Sequence, residues 1–241
     1  MSSSETRQVK VLDNILKAND YLARRLRRDW TEQGTFVVNL LSSPGSGKTS
    51  LLEATLPTLQ QRLRVGVLEG DLETERDAER IRAKGIPALQ ITTGGTCHLE
   101  SHMIEQAWEQ LRREGPFDIL FIENVGNLVC PASYDLGEHL RAVLLSVPEG
   151  DDKPAKYPKA FRSADACLIT KCDLLPHFDF DLDAARRQAQ DLRPDMQLFQ
   201  TSATSGQGLD EWLDFVDVRF REVRSGGAGR ESGASAQAAT T

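Results

Sequence analysis

Ser42-Ser43-Pro44-Gly45-Ser46-Gly47-Lys48-Thr49-Ser50 lies between two runs of different periodicity, and the combination decides how the chain folds. Before it, Phe36-Val37-Val38-Asn39-Leu40-Leu41 is almost continuously apolar, as in a strand buried on both faces; after it, Leu51, Leu52 and Leu56 open a helical pattern. Strand, glycine loop and helix in that order read as a phosphate-binding loop. Gly45 and Gly47 let the backbone turn tightly enough to aim successive N–H groups at phosphate oxygens, and the helix N-terminus adds its positive dipole end. Ser46 and Ser50 complete the cradle, Lys48 is expected to reach the β- and γ-phosphates, and Thr49 to bind Mg²⁺. The common form of the pattern begins with Gly where this chain has Ser42, but the two glycines that shape the loop are kept.

Outward from the loop, further apolar runs stand at Arg64–Glu69, Ala88–Thr92, Asp118–Glu123, Arg141–Val147, Ala166–Thr170 and Met196–Gln200. Helical segments separate them: a polar one from Glu73 to Lys84, one carrying Met103, Ile104, Ala107, Trp108 and Leu111, and one through Leu209, Trp212 and Phe215. This alternation predicts an α/β fold of three layers, a mostly parallel central sheet with helices on both faces and ligands at the carboxyl ends of the strands. Residues 1–8 are expected to be disordered and residues 9–224 to form one domain. A packing helix with Leu12, Ile15, Leu16, Leu22, Leu26 and Trp30 leads it. Residues 225–241, nearly all Gly, Ala, Ser, Thr and Gln, read as a disordered tail.

A net charge of −7 without a basic stripe argues against nucleic acid as the main partner. The one dense basic run, Arg24, Arg25, Arg27 and Arg28, reads as a solvated helix face. No apolar stretch approaches the roughly 20 residues that span a bilayer, and the polar N-terminus has no signal-peptide core, so a cytoplasmic protein without membrane contact is expected. Cys97, Cys130, Cys167 and Cys172 are too few and too scattered for a disulfide scaffold and read as reduced thiols, with Cys167 in the core. His139 and His177 read as ordinary surface residues.

Thr170-Lys171-Cys172-Asp173 follows a strand, and Thr201-Ser202-Ala203-Thr204 follows another about thirty residues later. Together they select guanine. The Asp173 carboxylate accepts from both the ring N–H and the exocyclic amino group, a donor pair adenine lacks; Lys171 lies along the base, and the Ser202-Ala203 backbone donates to the guanine oxygen. Asn is commoner where Thr170 stands. Beside Thr49, the acids at neighbouring strand ends are Asp71 and Glu123, each either a Mg²⁺ ligand or a cap on a turn. Gly126, in Glu123-Asn124-Val125-Gly126, is placed to sense a γ-phosphate. With Lys48, Thr49, Asp71 and Glu123 as the catalytic set and no evident base, hydrolysis rests on positioning and charge neutralisation and is expected to be slow.

Cys97-His98, His102 one turn on, and Cys130 lie near loop ends on the same edge. Thiolate and imidazole suit Zn²⁺ or Ni²⁺, although a buried cysteine and a helix-capping histidine account equally for the composition. His102 fits both coordination and a solvated helix face.

Taken together, Ser-Pro-Gly-Ser-Gly-Lys-Thr, Glu69-Gly70-Asp71, Cys97-His98-Leu99-Glu100, Glu123 through Pro131 and Glu149-Gly150-Asp151-Asp152-Lys153-Pro154 resemble the HypB family of nickel-incorporation GTPases. These belong to the SIMIBI class of P-loop NTPases, and the resemblance spans residues 10–220. It implies a metallochaperone that binds GTP and Mg²⁺ and holds nickel or zinc through Cys97, His98 and Cys130. It also implies a GTP-dependent homodimer that works with the accessory protein HypA on the [NiFe]-hydrogenase large-subunit precursor. Neither a Cys-x-x-Cys-Gly-Cys site nor a His-rich tract stands in this sequence, so high-affinity nickel storage is not expected. Three alternatives compete: the urease-type accessory GTPase, whose pattern is Cys-Pro-His; a passive nickel or zinc carrier whose GTP site only sets conformation; and a small-molecule kinase.

Overall fold

The computed structural model describes residues 3–71 and 75–226, with side chains described from Asn14 onward. Among the described residues seven strands form one sheet: β1 Phe36–Ser42, β2 Val65–Asp71, β3 Ala88–Thr92, β4 Ile119–Gly126, β5 Leu140–Ser146, β6 Ala166–Thr170 and β7 Gln197–Gln200. Their order is β3-β2-β4-β1-β5-β6-β7, and every pair is parallel. The helices are α1 Ser3–Gln33, α2 Lys48–Gln60, α3 Arg76–Arg82, α4 Ser101–Leu111, α5 Lys153–Lys156, α6 Pro158–Ser163, α7 Leu182–Leu192 and α8 Leu209–Arg224. All seven strands coincide with the apolar runs. α1 begins at Ser3, inside the segment expected to be disordered; the tail from residue 227 lies outside the described residues.

Side chains alternate across a strand, so one strand feeds two cores. From β1, Val38 and Leu40 pack with Leu52, Leu56 and Leu59 of α2 and Trp212, Val216 and Phe220 of α8. Val37 points to the opposite face, where Leu26 and Trp30 of α1 meet Ile104, Trp108 and Leu111 of α4. Trp30 and Trp108 meet edge to face at 6.1 Å. Asn19 fastens the same two helices, its Oδ1 accepting from Ser101 N–H at the start of α4 (2.8 Å) and its Nδ2 donating to the Asp135 carbonyl (2.8 Å). Leu41, Val143, Leu145 and Ile169 face a third cluster with Ala160, Phe161 and Ala185 of α6 and α7.

The basic run on α1 is not uniformly solvated. Arg27 turns inward, donating to Asp135 Oδ1 (2.5 Å) and to the Glu138 carbonyl (3.0 Å), because α1 packs against this acidic loop. Nor is His139 a surface residue. It is 7 % exposed; its Nδ1 accepts from Val37 N–H (3.0 Å), and its Nε2 lies 2.9 Å from Thr31 Oγ1, whose hydroxyl donates to the Arg27 carbonyl. The ring is therefore neutral, with its proton on Nε2. Burial first, and the Arg27 guanidinium second, push its pKa down to about 4, against the upward pull of Glu138.

Folding thus costs His139 its protonated form. Its contribution to stability is complete above the unfolded value of about 6.5 and is lost as pH falls toward 4, a change of about 3 kcal/mol from pKa linkage. Urea midpoints of wild type taken relative to His139→Gln should fall between pH 6.5 and 4, a difference from which groups that titrate in both proteins cancel. His139→Gln should be less stable at pH 7 and lack that slope; an equal slope in both proteins would remove His139 as its source.

Candidate functional site

The phosphate loop joins β1 to α2, with Gly45 at φ +75° and Gly47 at φ +95°, a backbone region open mainly to glycine. Ser42, in the place where the common pattern has glycine, accepts a hydrogen bond at Oγ from Lys48 Nζ at 3.0 Å, so the departure holds the lysine at the mouth of the loop. Ser46 is buried and Ser50 lies in the first turn of α2.

Thr49 Oγ1 donates to Glu123 Oε1 at 2.7 Å. Two cis ligands of an octahedral Mg²⁺ at about 2.1 Å stand about 3 Å apart, so little movement is needed for both to share the ion. Glu123 belongs to a larger acid group: donor atoms of Glu69, Asp77 and Glu123 lie within 4.8 Å of one another. Among the described residues, Glu69 Oε2 and Glu123 Oε2 are buried without a hydrogen-bond partner. Burial first, then Glu123 and Asp71, push Glu69 up to about 8, and burial pushes Glu123 up to about 7 despite Lys48 and Thr49. Buried carboxylates this close together fit a divalent cation, which relieves the desolvation and the repulsion that otherwise favour a proton. Asp71, at the end of β2, lies outside this group, and Asp77 of α3 stands in it instead.

At the end of β6, where the sequence places the base, Thr170 Oγ1 donates to the Ser46 carbonyl at 2.7 Å, so a hydroxyl ties this strand end to the phosphate loop. Lys171 adopts a left-handed backbone (φ +58°) and donates from Nζ to the Gly45 carbonyl at 2.7 Å, laying its chain over the loop. Asp173 Oδ1 accepts from the buried Ser202 Oγ at 2.6 Å, which orients the carboxylate, while Ala203 is exposed beside it. Glu149 is a further anchor: its Oε2 accepts from Ser46 Oγ (2.7 Å), Ser146 Oγ (2.6 Å) and Ser146 N–H (2.9 Å). These hydrogen bonds keep its pKa below the usual carboxylate range against burial.

Gly126, at the end of β4, abuts the loop from the other side; a Cβ there would stand 2.9 Å from Pro44 Cα. One residue on, Asn127 Nδ2 donates to the Cys97 carbonyl at 3.2 Å, and its Oδ1 accepts from Val129 N–H at 2.9 Å. Ligand atoms of Cys97, His98 and Cys130 lie within 4.8 Å of one another. His98 Nδ1 is 3.9 Å from Cys97 Sγ, and the Cys130 thiol is held above its usual pKa, first by its contact with the Cys97 thiol and then by burial. Two thiols and an imidazole, reachable from solvent, form a soft donor set that a Zn²⁺ or Ni²⁺ ion fits. His102 lies outside the group, 56 % exposed, its Nδ1 3.3 Å from Glu100 Oε2. Cys167 is in the core, as its strand position predicts, and His177 is exposed.

Residues 36–200 match the family model for the CobW/HypB/UreG nucleotide-binding domain. The hydrogenase maturation factor HypB of Azotobacter chroococcum is 49 % identical over 215 residues, covering 89 % of this chain and 70 % of that one. The crystal structure of HypB from Helicobacter pylori in complex with nickel superposes with a TM-score of 0.81 at 44 % identity, covering 89 % of this chain and 99 % of that one. The GDP complex of the signal recognition particle 54 kDa protein from Aeropyrum pernix shares the fold alone, at a TM-score of 0.52 and 14 % identity, covering 79 % of this chain and 49 % of that one. With a phosphate loop on β1 and a Cys-His-Cys cluster beside it, the chain belongs to the HypB family of hydrogenase maturation factors, within the CobW/HypB/UreG nucleotide-binding group.

Proposed function

We propose that this HypB-family chain is a GTPase metallochaperone, which holds nickel or zinc at Cys97, His98 and Cys130 and delivers it according to the state of its nucleotide. The observation that carries this reading is the short covalent path between the two sites. Gly126 packs on Pro44 of the phosphate loop, and Asn127 and Cys130 follow it within four residues. Packed backbone does not compress, so a shift of the loop on binding a γ-phosphate moves the segment that carries Cys130 relative to Cys97 and His98.

In the GTP complex, Gly45, Ser46, Gly47, Thr49 and Ser50 cradle the phosphates, and Lys48 leaves Ser42 to lie along the β- and γ-oxygens. Thr49, Glu123 and the flanking Glu69, Asp77 and Asp71 would hold Mg²⁺, which supplies neutralising charge on the phosphates. Asp173 accepts from the guanine edge, Lys171 covers the base, and Thr170, Ser202 and Ala203 keep the base pocket registered on the loop. Glu69 and Glu123, the carboxyls raised toward neutrality, are taken up by Mg²⁺ in this reading, which leaves no free base among the described residues and favours slow turnover suited to a switch. The metal is cargo. HypA, a GTP-dependent second copy of the chain and the [NiFe]-hydrogenase precursor are the partners this reading assigns, supported by the relatives' role in hydrogenase maturation. Among the described residues no helix is long and apolar enough to cross a membrane, consistent with action in the cytoplasm.

Titration of Ni²⁺ and Zn²⁺ into the GDP-bound and GTP-analogue-bound protein tests the proposal. Coupled sites should differ by roughly 5- to 150-fold in metal affinity between the two states, with the same factor acting reciprocally on nucleotide affinity. Cys130→Ala should weaken metal binding while leaving GTP binding by metal-free protein nearly intact. Identical nickel affinity in both nucleotide states would leave a GTPase that binds metal without using it.

A further inference from the structure

His98 is held from two sides by residues that none of the nucleotide motifs includes. Its ring stacks on Tyr134, with centroids 4.1 Å apart and planes 23° from parallel. Its Nε2 is shielded from solvent and has no hydrogen bond among the described residues, yet it lies 3.4 Å from Glu100 Oε1. Nδ1 is the nitrogen on the Cys97 side, 3.9 Å from Sγ. Glu100 is the N-cap residue of α4, but its carboxylate does not cap the helix; its second oxygen, Oε2, lies 3.3 Å from His102 Nδ1. A carboxylate that forgoes nearby backbone donors and sits between two imidazoles is placed for the imidazoles.

We propose that Glu100 is a positioning residue of the metal site. Its Oε1 takes the Nε2–H of His98 and thereby commits Nδ1 to the cargo ion, while Tyr134 fixes the plane of the ring. A neutral imidazole carries one proton, and the nitrogen that holds it cannot bind metal, so a carboxylate on the far nitrogen selects the tautomer and strengthens the donor. The choice matters because Cys97 and His98 are adjacent: Nδ1, nearer the backbone, is the ring nitrogen that two consecutive residues can bring to one ion. This inference rests on the metal-site reading above, and the test keeps the two apart.

Full-length wild type, Glu100→Ala, Glu100→Asp and Cys97→Ala would be titrated with Zn²⁺ and with Ni²⁺ against a competing chelator. Long-range ¹H–¹⁵N NMR of the zinc-loaded proteins would identify the coordinating nitrogen of His98. Glu100→Ala should bind 10- to 100-fold more weakly, the usual effect of removing a carboxylate behind a ligating histidine, and should no longer hold zinc through Nδ1 alone. Glu100→Asp should recover part of the affinity and the Nδ1 signature. Wild-type affinity in Glu100→Ala, or zinc on Nε2 of His98 in wild type, would overturn the role of Glu100. Unchanged metal affinity in Cys97→Ala would overturn the site itself and Glu100 with it, a result distinct from a normal Glu100→Ala beside a weakened Cys97→Ala.

Discussion

Lys48→Ala should lower GTP hydrolysis by at least 10²- to 10³-fold, the scale on which removing one preorganised charge from a transition state is felt. Lys48 is 8 % exposed and its ammonium already points to Ser42 Oγ at the loop mouth, so alanine leaves the phosphate charge unmet without a water-filled substitute of equal strength. Thr49→Ala should be comparably inactive for a different reason: it strips the hydroxyl that meets Glu123 at 2.7 Å and leaves that buried carboxylate with neither donor nor ion. Single-turnover phosphate release at saturating GTP measures both. Normal turnover in either variant would sink the assignment of this loop to catalysis.

Asp173→Asn should exchange the preferred base. An ionised carboxylate accepts two hydrogen bonds from guanine, each worth about 1.5–3 kcal/mol when charge-assisted, so GTP affinity should fall by roughly 10²- to 10⁴-fold. Xanthine carries a carbonyl where guanine carries an amino group, and the asparagine amide can donate to it, so XTP should bind better to the variant than GTP does. Ser202 Oγ, which donates to Asp173 Oδ1 at 2.6 Å, can still donate to the Asn carbonyl, so the side chain keeps its orientation and the change reads chemistry rather than collapse. Competition binding with both nucleotides decides it, and unchanged GTP affinity would remove Asp173 from the base pocket.

The strands were legible because each is a short apolar run bounded by a turn, and burial on both faces leaves little room for polar interruption. The phosphate loop, the approach of Thr170 and Lys171 to it and the closeness of Cys97, His98 and Cys130 were legible for a related reason: they are marked by rare residues at fixed spacing. Asp77 was not, and Glu69, Glu100 and Glu149 stood in the quoted motifs without a role of their own. Carboxylates are common in a chain with 36 acidic residues, and these acquire meaning only when the fold sets Glu69 beside Glu123 or Glu149 beneath Ser46. Glu69 did leave one trace, an acid at the buried end of an apolar strand. His139 was misread for the same reason: its neighbour Leu140 opens β5, but only α1, arriving from 108 residues away through Thr31, supplies the partner that makes burial affordable. Asp77, which joins Glu69 and Glu123, comes from α3, where a reading of strand ends does not look.

Two glycines near the nucleotide are required on different grounds. Gly45 has open space where a side chain would stand, and its φ of +75° sets the requirement, so asparagine, which tolerates that backbone, is the replacement available to it. Gly126 has no such backbone; the main chain of Pro44, 2.9 Å from the missing Cβ, sets the requirement. Over evolutionary drift the first position can therefore change alone, whereas the second can change only if position 44 withdraws with it, so substitutions at 44 and 126 are expected to appear as a pair among relatives or not at all.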